Sequence, residues 1–210
     1  MPADSGYAEP GGRAPAPAPL RLAQVFCNTA DREAGADALQ TPADLVQWLA
    51  SYDLLDEREQ ANDDDLTLAV DLREGLRWLF LTHHDSAHTA PADPTDPTDP
   101  TDLADGDDGE GASRLETALA QLPVRLTVPE GAVKTAPWMD APVRAGLTHI
   151  AAVLIRAEPG QLTRLKACRR DVCQWVFYDS SRNRGSTWCA MDICGARTKM
   201  ATYRDRRRDH

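Results

Sequence analysis

The sequence predicts an α+β protein, in which a mixed helix and strand N-terminal domain precedes a small four-cysteine module with a β-hairpin and a C-terminal helix. Three observations lead to this prediction. Apolar residues recur at helical spacing in long segments, apolar and polar residues alternate in short ones, and four of the five cysteines fall within the last 50 residues. Since no apolar run reaches the ~18 residues of a membrane span, no membrane helix is expected.

Composition divides the chain into parts. Residues 1–20 are rich in Pro, Ala and Gly, which predicts a disordered tail. Residues 21–160 form the N-terminal domain and residues 161–210 the cysteine module, since Pro159 and the glycine after it stop a helix. Residues 91–111 repeat Asp-Pro-Thr three times, which predicts a solvated acidic loop within the N-terminal domain. The alternative is that this loop shields the basic module.

The elements of the N-terminal domain follow from local patterns. The apolar run 20–29 predicts a buried strand. Thr41 followed by Pro42 is typical of a helix start, because threonine caps and proline fits the first turn. The sequence predicts helices over 42–55, 64–83, 113–122 and 141–160. In the second of them, Leu68, Leu72, Leu76 and Leu79 fall at helical spacing and form a core stripe. Residues 124–128 are predicted to be a strand, with residues 134–139 as its extended partner.

The cysteine module contains two pairs of identical spacing. Four residues separate Cys168 from Cys173 and Cys189 from Cys194, and fifteen residues separate the pairs. Four thiolates bind zinc tetrahedrally in a closed structural site. A module this small has too little core to fold alone, and a bound metal supplies stability. The spacing therefore predicts structural zinc on these four cysteines.

Three alternatives to structural zinc fit the sequence less well. Two disulfides would need an oxidising compartment, whereas the N-terminus has no apolar signal-peptide segment and a reducing cytoplasm is expected. Four unrelated buried cysteines would not show equal spacing. A catalytic zinc needs an open coordination position, which four sulfur ligands leave no room for.

The residues around the ligands predict a hairpin and a helix. Residues 174–179 alternate as a strand, residues 180–185 supply turn chemistry, and residues 186–190 return as its partner. The pattern over residues 194–210 predicts a helix, with Ala196, Met200 and Tyr203 on its inward face.

Charge is distributed unevenly along the chain. The net charge is −10, yet residues 161–210 hold 12 of the 23 Lys and Arg residues and 5 of the 33 acidic ones, a balance of +7. A basic helix beside a zinc site is typical of a nucleic-acid surface, and a solvated charged helix is the alternative. The predicted DNA contacts are Arg182, Arg184, Arg197, Lys199, Arg204, Arg206, Arg207 and Arg208. Arg197 has a rival role in orienting the turn around the zinc.

The cysteine module resembles the CGNR zinc finger, whose Cys-Gly-Asn-Arg signature stands here as Cys194-Gly195-Ala196-Arg197, with alanine where the family has asparagine. The remaining matches are Trp175, Phe177, Asp179, Ser181, Arg182, Asn183, Trp188 and Lys199. The upstream residues Phe26, Asn28 and Thr29, and the segment from Thr41, resemble the putative stress-induced transcription regulator domain.

The resemblance implies a bacterial transcription regulator in the cytoplasm, with DNA as its partner and zinc as its cofactor. We expect its N-terminal domain to sense a ligand or a protein. The alternative is a zinc-stabilised protein-interaction module that does not bind DNA. No catalytic motif stands out, so no enzymatic activity is expected. Cys27 is expected in the core, and His83, His84 and His88 at a solvated helix end.

Overall fold

A computed structural model describes residues 9–84, 108–138 and 140–208. The helices are α1 (Leu20–Cys27), α2 (Pro42–Ser51), α3 (Asp63–Thr82), α4 (Asp108–Ala120), α5 (Pro142–Ala151), α6 (Val153–Arg156), α7 (Pro159–Leu162) and α8 (Ala196–Arg208). The strands are β1 (Ala30–Asp31), β2 (Ala36–Asp37), β3 (Val124–Thr127), β4 (Lys134–Pro137), β5 (Leu165–Ala167) and β6 (Val176–Tyr178). They pair antiparallel as β1–β2, β3–β4 and β5–β6. This combination of helices and small sheets confirms the α+β class.

Helix α1 replaces the strand predicted for the first apolar run, so that prediction is wrong. Leu20, Ala23 and Phe26 are fully buried at three-residue spacing, which is the periodicity of one helix face. A short apolar run does not distinguish a strand from a buried helix. Helix α1 packs against α3, α5, α6 and β6, and so forms the centre of the fold.

Two helices begin with reciprocal side-chain caps. Thr41 accepts a hydrogen bond from the backbone N–H of Asp44 at 3.2 Å, and the Asp44 carboxylate accepts one from the N–H of Thr41 at 2.8 Å. Asn62 and Asp65 form the same arrangement at the start of α3. These caps satisfy N–H groups that have no partner within the helix. The predicted start at Thr41 is confirmed.

The main hydrophobic core surrounds α3, whose apolar stripe was predicted. Leu68, Leu72 and Leu76 are buried, and Phe80 takes the place expected for Leu79, which is only partly buried. The core continues into α4 and α5 through Leu115, Ala118, Leu122, Val143, Leu147 and Ile150.

Strands β3 and β4 form the antiparallel pair that the sequence predicts, with Val124 opposite Pro137 and Thr127 opposite Lys134. This hairpin presents large apolar side chains to solvent. Leu126 is 73% exposed and Trp138 is 67% exposed.

Strand β6 pairs with β5 and not with residues 186–190, so the predicted hairpin partner is wrong. The register places Leu165 opposite Tyr178 and Ala167 opposite Val176. Leu165, Ala167 and Val176 are fully buried in the main core. Burial against the N-terminal domain therefore selects the upstream strand as the partner.

The segments predicted to be disordered lie partly outside the described residues. Residues 1–8 and 91–107 are outside them, whereas residues 108–111 belong to α4. Residues 9–19 differ from the predicted tail, since Ala16 is buried in the main core. Within the described ranges, the helices are too short or too polar for any of them to span a bilayer.

Candidate metal centre and the surface around it

Two short turns bring the four predicted cysteines together. The first knuckle, Cys168–Cys173, joins β5 to β6, and the second knuckle, Cys189–Cys194, leads into α8. All four residues are buried, and their Sγ atoms lie within 4.8 Å of one another. The sulfur of Cys189 lies 3.7 Å from that of Cys173 and 3.6 Å from that of Cys194.

These distances fit a metal and not disulfides. A disulfide holds its sulfurs about 2.0 Å apart, and all five cysteines of the chain are free thiols. Sulfurs that lie about 2.3 Å from a tetrahedral zinc are about 3.8 Å from each other. The cluster therefore forms a metal-binding site with the donor set and spacing of structural zinc.

The thiols perturb each other strongly. Hydrogen bonds from Cys173 and Cys189 lower the pKa of the Cys168 thiol. The hydrogen bonds with Cys168 raise the pKa values of Cys173 and Cys189. A thiolate enclosed by further sulfurs favours a cation at their centre.

Cys27, the fifth cysteine, takes no part in this cluster. It is fully buried in the main core beside Arg73, as expected for a core residue. Burial raises the pKa of its thiol to about 12, so this thiol stays protonated.

The N-terminal domain holds the chain directly after the first knuckle by hydrogen bonds to its backbone. The side chain of Asn28 both accepts from the N–H of Val176 and donates to its carbonyl, each at 2.8 Å, as a neighbouring strand would. The buried guanidinium of Arg77 donates to the carbonyl of Gln174 at 2.6 Å and to that of Cys27 at 2.5 Å. Asn28 and Arg77 thus tie β6 and the knuckle to α1.

His83 and His84 contradict the expectation of a solvated helix end. Both are buried at the end of α3, where Nδ1–H of His83 donates to the carbonyl of Leu165 and Nε2–H of His84 donates to that of Ala167, each at 2.7 Å. Burial lowers both pKa values, that of His84 to about 4. Both rings are therefore neutral donors to β5. His88 lies outside the described residues.

A buried ion pair organises the loop after β6. Lys166 donates to the Asp179 carboxylate at 3.1 Å and also to the carbonyl of Arg184. The same carboxylate accepts from the N–H groups of Ser181 and Ser186. Although burial opposes ionisation, these donors lower the pKa of Asp179 to about 2. The loop that carries Arg184 is therefore fixed to β5.

The N-terminal segment reaches the second knuckle. Arg13 donates to the carbonyl of Cys189 at 2.6 Å and to that of Trp188 at 2.8 Å, and its guanidinium lies 4.6 Å from the ring centroid of Phe177. Gly11 has a positive φ, and a Cβ there would lie 3.0 Å from that of Ala190. The segment 9–13 thus packs closely on the cysteine module.

Helix α8 lies at the surface. Ala196, Met200 and Tyr203, predicted to face inward, are exposed, so that prediction is wrong. The small core of the module is already filled by the sulfurs with Phe177 and Trp188. Among the described residues, α8 adds no buried apolar side chain to this core.

A groove of about 570 Å³ lies between the first knuckle and α8, and four arginines and one aspartate line it. Arg197 and Arg204 were predicted contacts, whereas Arg169 and Arg170 were missed. The arginine pair directly after Cys168 is the sequence signal that identifies them.

The other predicted basic residues lie elsewhere. Arg182 and Arg184 are exposed on the loop after β6, and Lys199 is exposed on α8. The side chains of Arg206, Arg207 and Arg208 lie outside the described ones.

An acidic side chain of the N-terminal domain pairs with two arginines of this groove. Glu33, in the turn between β1 and β2, accepts from Arg170 at 2.8 Å and from Arg197. These two arginines lower the pKa of the Glu33 carboxyl, with the hydrogen bond from Arg170 as the largest cause. Arg170 also donates to the sulfur of Cys194 at 3.9 Å.

The fold and the cluster together define an α+β domain fused to a four-cysteine metal-binding finger. The family model described as CGNR zinc finger matches residues 164–207, and the one described as putative stress-induced transcription regulator matches residues 20–158. The chain belongs to this family of putative stress-induced transcription regulators and ends in a CGNR zinc finger. Among curated proteins, none matches the chain.

Proposed function

We propose that the chain is a zinc-dependent transcription regulator that binds duplex DNA through its finger, in the cytoplasm of a bacterium. One observation carries the proposal: Arg169, Arg170, Arg197 and Arg204 surround one groove directly beside the sulfur cluster. Guanidinium groups bind phosphate oxygens through paired hydrogen bonds, and such contacts supply most of the affinity for nucleic acid. The family match to a transcription regulator supports the same role. The proposal assigns no reaction to the chain.

Zinc has a structural role in this proposal. Cys168, Cys173, Cys189 and Cys194 would hold it, and a bound ion cross-links two turns that are otherwise joined mainly by the loop after β6. The protein residues then set the geometry of the groove. Its two walls are the first knuckle and α8, so the distance between their arginines depends on the relative position of the two knuckles.

Further phosphate contacts come from exposed basic residues outside the groove. Arg182 and Arg184 are presented by the loop that Lys166 and Asp179 fix, and Lys199 lies on α8. A loop that is already ordered loses little conformational entropy on binding. Arg206, Arg207 and Arg208 continue the basic sequence of α8.

We assign ligand or partner sensing to the N-terminal domain. A groove of about 670 Å³ lies between the start of α2 and residues 57–61, and polar side chains including Gln47, Glu57 and Glu59 line it. A ligand there would influence DNA binding through the contacts of α1 and α3 with the first knuckle. Such an effect requires that the ligand bind two arrangements of these elements with different affinity.

Protein docking is the second candidate function of the finger. Met191, Ile193, Met200 and Tyr203 are large apolar residues that are exposed on the second knuckle and α8. Apolar side chains grouped at a surface are typical of protein-binding sites. A partner protein bound there would not require phosphate contacts.

The salt dependence of duplex binding tests the proposal. If Arg204, Arg206 and Arg208 each contact one phosphate, replacing all three with Ala flattens the slope of log affinity against log salt by about 2.7, at roughly 0.9 for each contact. The matched control replaces Arg58, Arg125 and Lys134, which are exposed on the N-terminal domain, and removes the same charge. An unchanged slope in the α8 variant, or no binding by the parent protein, would favour protein docking.

A further inference from the structure

Glu33 bridges two arginines of the finger with one carboxylate. One oxygen, Oε2, lies 2.8 Å from Nη1 of Arg170, and the other, Oε1, accepts from Nη1 of Arg197. Both arginines line the groove beside the metal centre. The N-terminal domain thus places an anion between two of the cationic side chains to which we assign DNA contacts.

A phosphate group fits the position of the Glu33 carboxylate between the two arginines equally well. A phosphodiester, like a carboxylate, offers two oxygens to the N–H groups of neighbouring guanidiniums. The groove extends beyond the bridge to Arg169 and Arg204, which supply two further guanidinium groups. The bridge therefore occupies one end of a site that is large and cationic enough for nucleic-acid backbone.

The bridge is also accessible to a competitor. The side chains of Glu33 and Arg197 are 36% and 53% exposed, and ion pairs at this exposure are weak and screened by salt. The Lys166–Asp179 pair differs, since both side chains are buried and further hydrogen bonds satisfy them. The Glu33 bridge is therefore more accessible to a competing anion than the Lys166–Asp179 pair.

We propose that Glu33 holds the place of a DNA phosphate between Arg170 and Arg197, so that the N-terminal domain competes with DNA for the finger. This inference rests on the proposed function. It gives the domain a way to regulate binding without moving the metal centre: withdrawal of the β1–β2 turn exposes the two arginines, and return of the turn covers them.

Glu33→Gln tests the competition, because it removes the charge and keeps the size of the side chain. Glu116→Gln is the matched control, since it makes the same substitution at an exposed position on α4, outside the groove. Duplex affinity is measured for both variants and the parent from about 50 to 200 mM salt, together with zinc content and thermal stability.

One additional phosphate contact steepens the salt slope of Glu33→Gln by about 0.9, so its advantage over the parent grows about 3.5-fold between 200 and 50 mM salt. Glu116→Gln leaves the slope unchanged. In an Arg197→Ala background, Glu33→Gln loses most of its gain, because one of the two phosphate partners is absent. Glu33→Asp, which keeps the charge but has a shorter reach, shifts affinity in the same direction by less.

Other outcomes overturn the inference. If Glu33→Gln binds DNA with the slope of the parent while its stability or zinc content falls, the bridge only fastens the domain to the finger. If neither the parent nor the variant binds DNA, the proposed function fails. Titration with inorganic phosphate then decides whether Glu33 competes with anions for the two arginines. Tighter phosphate binding by Glu33→Gln, seen as NMR shifts at Arg170 and Arg197, would retain the competition for anions, and equal binding would remove it.

Discussion

The two knuckles provide the same ligands but are supported differently. The first knuckle lies between strands whose residues Leu165, Ala167 and Val176 belong to the main core. The cysteines of both knuckles form a separate small core with aromatic rings, and the second knuckle leads from it to a helix whose apolar residues are exposed. Half of the finger therefore packs as an extension of the N-terminal domain, and we expect the other half to depend on a bound metal.

The hydrogen bonds follow the same division. Asn28, Arg77, His83 and His84 all bind backbone groups on or beside the first knuckle. The second knuckle receives the two hydrogen bonds of Arg13 from the N-terminal segment. Stability should accordingly differ within the finger, since regions with few buried contacts open at lower free energy.

Loss of one ligand should have the largest effect, and an unequal one. In Cys194→Ser we expect zinc to be released, because one of its four ligands is lost. The effect should be large, since structural zinc contributes on the order of 10 kcal/mol to folding of a finger. Amide hydrogen exchange should then accelerate in the second knuckle and α8, whereas β5 and β6 stay protected by the main core. Cys27→Ala, which removes a thiol outside the cluster, should keep its zinc. Equal loss of protection in both knuckles would contradict the comparison.

Arg77 is the strongest link of the first knuckle. Replacement by Ala removes a buried guanidinium that also pairs with Glu74. Burial raises the pKa of the Glu74 carboxyl, but the charge of Arg77 helps to lower it to about 2. Glu74 keeps its ion pairs with Arg32 and Arg73, so the main cost is the loss of a charged donor by the carbonyls of residues 174 and 27, at about 1.5–3 kcal/mol for each hydrogen bond. Denaturant unfolding should show a loss of this size. Arg58→Ala, at an exposed site, should change stability by less than about 0.5 kcal/mol. Similar midpoints for the two variants would mean that this link is weak.

The histidines of α3 should make the first knuckle sensitive to acid. The pKa of His84 falls from 6.5 to about 4 on folding, because burial disfavours its charged form. Between these values the unfolded chain binds a proton that the folded chain does not, so stability decreases as pH falls below about 6.5, by at most about 3 kcal/mol. His84→Gln keeps a donor but does not titrate. The difference between variant and parent should therefore shrink as pH falls from about 7.5 to 5.5, and a constant difference would exclude this role.

Arg13 should have the smallest effect, confined to the second knuckle. Its two hydrogen bonds and its contact with Phe177 are partly exposed and should contribute about 1–2 kcal/mol. In Arg13→Ala we expect faster zinc release to a chelator. Arg13→Lys keeps the positive charge near the Phe177 ring but lacks the planar guanidinium that donates both hydrogen bonds. We expect zinc release from this variant at an intermediate rate. An unchanged rate would show that the segment 9–13 does not support the knuckle.

Local patterns predicted the elements whose stability is local. The capped start at Thr41, the α3 stripe and the β3–β4 pair could be inferred because each depends on residues close in sequence. The nature of α1 and the partner of β6 could not, since both are decided by burial against distant segments. The apolar run 20–29 fits a strand or a helix until its packing against α3 is known.

The candidate site shows the same limit. Equal cysteine spacing predicted a cluster that the structure brings together. The links from Glu33, Arg77 and His84 join residues that are far apart in the chain, and their sequence surroundings carry no signal of a partner. Arg169 and Arg170 could have been predicted as residues of the site, because this arginine pair directly follows the first cysteine ligand.

Metal content tests the account most directly. Elemental analysis is made on the full chain, purified under reducing conditions without chelator or added metal. The cluster of Cys168, Cys173, Cys189 and Cys194 predicts one zinc per chain, and none in a variant with Ser at all four positions. A folded parent protein without zinc would contradict the metal centre, and with it the dependence of the second knuckle and α8 on a bound ion.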